Sequence, residues 1–219
     1  MITVKKIYLI RHGETYYNQL GLVQGSGIDS DLNELGWQQA KAFYQAYKNV
    51  AFDKIYTSNL KRTHQTVWDF IVKGTPWQQL AGLNEMGWGH REGRSITPHD
   101  DYEYQQILTA WRNGEMHIRP EGGESPLDVL ERQKVALQHI LENDDENTIL
   151  ICMHGRAMRI FLCLLLDIPL KDMDTFPHSN TCLYMLNYTI DGNFVLELAN
   201  DTSHLIGIKK EIMLTVERP

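Results

Sequence analysis

The sequence predicts an α/β fold: a three-layer α/β/α sandwich with a mostly parallel central sheet and an inserted, partly helical lid segment. Three observations predict it. Short apolar runs at 5–10, 52–57 and 148–153 read as buried strands. Segments with apolar residues three and four apart follow them. Strands that alternate with helices in this way make a parallel sheet covered on both faces.

The elements follow in order. Residues 5–10 are the first strand. Asp31 reads as the N-cap of the first long helix, with Glu34 as its capping-box partner. Leu32, Gly36, Ala40, Phe43, Tyr47 and Val50 form its inner stripe. After the strand at 52–57, Ser58 reads as the N-cap of a helix whose inner face is Leu60, His64, Val67 and Ile71. Residues 74–124 have weak periodicity, three Pro and three Trp. They read as an excursion from the main fold, helical near 101–111, placed over the site. Ser125 then caps a helix with Pro126 at its first position and Leu127, Leu130, Leu137 and Leu141 inward. The strand at 148–153 precedes an apolar helix at 156–166. Two strands, 181–187 and 193–198, flank a turn at Asp191-Gly192.

A chain of 219 residues is expected to be one domain, 1–219, with 74–124 inserted. Its formal charge of −7 gives no broad electrostatic reason to bind nucleic acid or an anionic membrane. Any positive charge for an anionic ligand must therefore be local. Cys152, Cys163 and Cys182 are few and lack metal-ligand spacing; they read as buried, reduced thiols, which fits a cytoplasmic protein. No apolar run approaches the ~20 residues of a spanning helix, and the opening MITVKKIYLIRHGET reads without a signal peptide.

Two places share one pattern. The strand IYLI runs into Arg11-His12-Gly13, and ILICM runs into His154-Gly155. Ligands of open α/β sheets bind beyond the carboxyl ends of the strands, so both imidazoles belong at that edge. The strand ending near Ser58 adds Arg62 in the first turn of the next helix, where the helix N-terminus also favours an anion. Two His and two Arg repel one another unless an anion joins them, and phosphate suits the bidentate Arg fork. His12 and His154 are chemically alike, and position alone does not rank them.

The ordered motifs resemble the histidine phosphatase superfamily, also called the phosphoglycerate-mutase-like family. RHGETYYN (11–18), Gln24-Gly25, LNELGWQQA (32–40), SNLKRTHQT (58–66), LNEMGWGHREG (83–93), PEGGES (120–125), MHGRAMR (153–159) and SNTCLYML (179–186) are similar to its segments, in its order, over residues 5–190. The resemblance implies that His12 is the nucleophile. It implies that Arg11, Arg62 and His154 bind the phosphate oxygens, with Asn18, Gln24, Gly25 and Gly155 completing the substrate pocket. It also makes Glu85 the general acid and then the base, a choice among 28 acidic residues that the chain alone does not make. Neither metal nor cofactor is implied. Tyr16 and Tyr17, His90-Arg91 and Arg156 depart from common residues of the family, and His90, Arg91 and Arg156 are candidates to read a second anionic group. His64, His99, His117, His139, His178 and His204 carry no site argument and read as structural or exposed.

The expected activity is a metal-independent phosphomonoesterase acting on a small phosphorylated metabolite through a phosphohistidine. The alternative is a phosphoglycerate mutase with the same intermediate. Family mutases carry a longer insertion than the 37 positions that separate Glu85 from Gly122, which favours the phosphatase. A non-catalytic phosphate-binding module is the third reading, and the full set of reactive residues speaks against it.

Overall fold

Strand β1 (Thr3–Arg11) carries Ile7 and Leu9 toward one face and Tyr8 and Ile10 toward the other, and all four are buried. Burial on both faces is what a central strand between two helical layers requires. The computed structural model describes residues 2–94 and 97–208. The chain continues through α1 (Tyr16–Gln19), α2 (Glu34–Tyr47), β2 (Lys54–Thr57), α3 (Lys61–Thr66), α4 (Trp68–Val72) and β3 (Trp77–Gln79). Then come α5 (Pro98–Arg112), α6 (Pro126–Leu141), β4 (Thr148–Met153), α7 (Gly155–Leu166), β5 (Leu183–Thr189) and β6 (Phe194–Asp201).

The sheet order is β3-β2-β4-β1-β5-β6. The four strands β3, β2, β4 and β1 are parallel; β5 runs antiparallel to β1, and β6 antiparallel to β5. One core packs Ile7, Leu9, Tyr56, Ile149, Ile151 and Met153 under α6 and α7. The other packs Tyr8, Ile10, Ile55, Leu150 and Cys152 under Phe43 of α2 and Phe70 of α4. All three cysteines are buried and free. No described helix is long and apolar enough to cross a membrane.

Several expected details move. The cap of α2 is Asn33, not Asp31. Asn33 accepts from the Gly36 amide at 2.8 Å and donates to Glu14 at 3.1 Å, whereas Asp31 accepts from Gln65. Ser58 does not cap α3, which begins at Lys61 with Leu60 before it. The Lys61 amide donates to Asp29 at 2.7 Å, so that helix end already holds a carboxylate. The expected long helix breaks at Val67. Thr63 and Thr66 hydroxyls bond back to the Leu60 and Arg62 carbonyls, a pattern that bends helices. His64 lies half-buried against Trp77 rather than inward.

In α6 the buried face is Val129, Gln133, Ala136 and Ile140, while Leu127 is exposed and Leu130 and Leu137 flank the face. Gln133 belongs inside because its amide donates to the Ala157 carbonyl of α7 at 2.7 Å. β5 starts at Leu183 rather than 181, since Thr181 has φ 55° and leaves the extended region. β3 lies within 74–124, so that segment begins as part of the sheet before it becomes an excursion.

Ser125 caps α6 as expected: it accepts from the Asp128 amide, and Asp128 reaches back to the Ser125 amide at 2.7 Å. Ser125→Ala should cost about 1 kcal/mol, read as a lower denaturation midpoint with an unchanged denaturant slope.

Candidate active site

β1 and β4 are parallel neighbours with Arg11 opposite Met153. The next residue of each is therefore paired as well. His12 and His154 face one another with ring centroids 5.2 Å apart, both essentially buried. The His12 amide donates to the Met153 carbonyl at 3.0 Å and extends the ladder by one step.

His12 Nδ1 lies 2.7 Å from the Gly13 carbonyl oxygen. A carbonyl only accepts, so Nδ1 carries the proton and Nε2 keeps the lone pair. Burial, then the Arg62 and Arg11 cations, hold the imidazole well below the usual histidine range. The ring is neutral at pH 7. His154 is placed differently. Its Nδ1 accepts from Arg62 Nε at 3.2 Å, so its Nε2–H donates to Ser58 Oγ at 2.8 Å. Both nitrogens are engaged. Burial and Arg62 likewise keep His154 neutral.

Arg62 is fully buried and donates to the carbonyls of Ile28 (2.6 Å) and Gly25 (3.3 Å). Burial lowers its guanidinium to about 10, so it stays charged at pH 7. Arg62 and His154 thus form a bonded pair beside His12. The cavity of about 190 Å³ in front of His12 is bordered instead by Arg11, Asn18, Gln24, Glu85, Gly155 and Arg156, with Trp88, Tyr104 and His178 around them. Trp88 and Tyr104 come from within 74–124 and form part of its wall.

Arg11 Nη1 donates to His178 Nδ1 at 3.2 Å and to the His178 carbonyl at 3.3 Å. Its Nε is buried without a hydrogen-bond partner among the described residues. A buried charged donor in that condition calls for an anion. Gly155 sits against this group: a Cβ there would lie 3.1 Å from the His178 ring and 3.4 Å from Arg11 Nε. Thr15 caps α1 by accepting from the Asn18 amide; Asn18 Oδ1 accepts in return from the Thr15 amide and also from Asn180, which holds the His12 carbonyl at 3.0 Å. Gln24 donates to Thr15 at 2.7 Å. Gly25 does not border the cavity; a Cβ there would meet Glu92 at 2.1 Å and the Met86 carbonyl at 2.6 Å, so its smallness serves the loop.

Glu85 Oε1 accepts from the Met86 and Ala157 amides, each at 2.8 Å, and Oε2 from the Arg156 amide at 3.2 Å. The carboxyl group therefore sits on the N-terminus of α7, next to Gly155. Arg132 of α6 holds the approach to it, donating to the carbonyls of Gly82, Asn84 and Glu85 at 2.9–3.0 Å.

Sequence reasoning did not single out Arg132, Asn180 or His178. His178 was expected to be structural or exposed, yet it borders the cavity and holds Arg11, and burial beside Arg11 lowers its ring to about 3. His90 is exposed beside Glu121 at 3.5 Å, and Arg91 lies over the Tyr104 ring at 5.0 Å. Neither borders the cavity; Arg156 does.

Residues 7–202 match the family model described as histidine phosphatase superfamily (branch 1). The chain belongs to the histidine phosphatase superfamily. A probable phosphoglycerate mutase of Yersinia pestis is 31% identical over 209 residues, covering 91% of this chain and 94% of that protein. Among solved members, a putative alpha-ribazole-5'-P phosphatase from Escherichia coli is 26% identical with a TM-score of 0.78, over 90% of this chain and 97% of that one. A phosphoserine phosphatase of Entamoeba histolytica, solved with 3-phosphoglyceric acid, is 28% identical with a TM-score of 0.78, over 92% and 99%. The expected α/β fold and phosphomonoesterase class agree with these histidine phosphatase neighbours.

Two buried neutral histidines have a stability consequence. The unfolded chain takes up protons at His12 and His154 near pH 6.5, whereas the folded chain resists them until well below that value. Their contribution is present above pH 6.5 and is lost as pH falls. Each such group removes up to about 1.4 kcal/mol per pH unit below 6.5. Urea midpoints measured from pH 7 to pH 5 should fall; a flat profile would show that these rings titrate normally.

Proposed function

We propose that this chain is a metal-independent phosphatase that hydrolyses a small phosphorylated metabolite through a phosphohistidine on His12. The observation that carries this reading is the His12 ring. It is neutral, its tautomer is set by the Gly13 carbonyl, and it borders a cavity where a buried Arg11 Nε lacks a partner among the described residues. A neutral imidazole is a competent nucleophile at pH 7.

In the first step His12 Nε2 bonds to phosphorus while the bond to the leaving oxygen breaks. The alcohol takes its proton from Glu85. Oε1 accepts two amide hydrogens and Oε2 only one, so Oε2 is the oxygen left with a lone pair for the transferred proton. In the second step water attacks phosphorus, Glu85 takes the water's proton, and the P–N bond breaks to release phosphate. Arg11 neutralises charge at the equatorial oxygens, and the charged Arg62 beside His12 adds to it. The cavity is smaller than the ~300–1,000 Å³ of sites for drug-sized ligands, which suits a small metabolite.

The second reading is a phosphoglycerate mutase with the same intermediate, favoured by the name of the relative at 31% identity. Product analysis separates the two: inorganic phosphate marks the phosphatase, and 2-phosphoglycerate formed from 3-phosphoglycerate with 2,3-bisphosphoglycerate marks the mutase.

Activity is expected to survive EDTA. The groups that meet the phosphate are Arg and His, and no three described His, Cys, Asp or Glu side chains gather as ligands for a metal ion. Loss of turnover on chelation, restored by Zn²⁺ or Mg²⁺, would overturn the mechanism.

A further inference from the structure

Arg156 follows His154-Gly155 on α7 and is a cation in the cavity wall that phosphoryl transfer at His12 does not use. Its side chain is held on two sides. Nη1 is 2.6 Å from Asp174 Oδ1, and the guanidinium lies 5.6 Å from the centre of the Trp111 ring. That contact engages Nη1 and leaves Nε and Nη2 outside it. These two nitrogens form the outer edge of the fork, the edge that takes a carboxylate by two parallel hydrogen bonds.

The charge around it is unbalanced. Asp174 also meets Arg159 Nη1 at 2.6 Å and Arg112 Nε at 3.5 Å, so one carboxylate serves three guanidinium groups. A positive cluster at one wall of a cavity is unexpected in a chain of net charge −7. It raises the local concentration of an anionic ligand. The backbone of the same residue donates to Glu85 Oε2 at 3.2 Å. Arg156 is therefore tethered to the group that would protonate the leaving oxygen, and what it reads lies on the leaving group.

We propose that Arg156 is a specificity residue that binds a carboxylate on the alcohol portion of the substrate, a few carbons from the phosphate ester. The substrate class is then a phosphorylated hydroxy acid. This rests on the phosphatase reading above and deepens it. Asp174 and Trp111 are positioning residues: they hold the guanidinium with its outer edge open.

The test compares 3-phosphoglycerate with glycerol 3-phosphate, which share a three-carbon chain and differ in the carboxylate. The wild type should favour 3-phosphoglycerate in kcat/KM by about tenfold or more, the size of one charge-assisted pair. In Arg156→Leu that ratio should fall toward one. Arg156→Lys keeps the contact to Asp174 but lacks the fork, and its ratio should fall as well; it serves as the readout if the Leu variant does not fold. No preference in the wild type, or a ratio unchanged in both variants, overturns the proposal. If the wild type hydrolyses neither compound, turnover of a nitrophenyl phosphate decides the phosphatase reading separately, and its absence there is that reading's own failure. Titration of the intrinsic tryptophan fluorescence, to which Trp88 and Trp111 contribute at the cavity, then decides the subsite: binding of 3-phosphoglycerate tighter by about tenfold, lost in the variants, supports it, and equal binding of the two compounds overturns it.

Discussion

His12→Ala is expected to abolish turnover and covalent labelling together, a loss on the order of 10⁶-fold, as when a covalent enzyme loses its nucleophile. Rapid quenching of the wild type during turnover should trap one phosphate per chain, labile in acid and stable in base, as a phosphoramidate is. Peptide mapping should place it at His12. The ranking of His12 over His154 rests on their nitrogens. His12 leaves Nε2 with a lone pair beside the cavity, whereas both nitrogens of His154 are engaged, by Arg62 and by Ser58. His154→Ala should therefore slow transfer while leaving His12 able to take the label. That variant also strands the buried Arg62 Nε, so part of its loss should appear as reduced thermal stability. A label on His154, or on a Ser or Asp, would overturn the assignment even in an active phosphatase.

The strand-end argument reached far because it depends on local order alone. Where two buried strands each run into a His, parallel pairing in register brings the rings together, and the Arg11–Met153 pair supplies that register. β4 occupies 148–153 as expected, since six residues of Thr, Ile, Leu, Cys and Met have no competing pattern. Direction was legible only in part. The Asp191-Gly192 turn makes β5 and β6 antiparallel to each other, but alternation is the same in a parallel and an antiparallel strand, so nothing in the sequence showed that β5 runs against β1.

Caps divided by the company they keep. Ser125 has its reciprocal partner three residues away, and the sequence displays both. Asp31 and Asn33 compete for the start of α2, and the choice falls to Asn33 through Glu14, which lies far away in sequence. Ser58 has the side chain of a helix cap, yet its hydroxyl is needed by His154. β3 is three residues long, Trp-Gln-Gln, and too short for any period.

The site shows the same limit. His178 stands in a loop with no strand end to announce it, and only tertiary folding brings it to Arg11. Arg132 acts through three carbonyls, contacts that leave no mark on the sequence around it. Arg62 illustrates the converse. Its position in the first turn of α3 was legible, but its acceptors are loop carbonyls at Gly25 and Ile28 and a ring nitrogen of His154. The expected anion at that helix end is Asp29 of the chain itself.

Glu85→Gln should separate proton donation from phosphate binding. Glutamine keeps an acceptor for the Met86 and Ala157 amides, and it cannot deliver a proton from the position of Oε2. Single-turnover transfer from an alkyl phosphate should slow by about 10²–10⁴-fold, the usual worth of a positioned acid. A nitrophenyl phosphate needs little protonation of its leaving group, so the same step should slow far less. The contrast matters because the substitution also sets an amide NH2 against the Arg156 N–H, now 3.2 Å from Oε2. That clash of donors perturbs both substrates alike, whereas loss of the acid affects them differently. A strong leaving-group dependence in the variant, absent from the wild type, identifies the acid. Equal losses for the two substrates would leave Glu85 as a group that organises the N-terminus of α7, and would move the search for the proton donor elsewhere in the cavity.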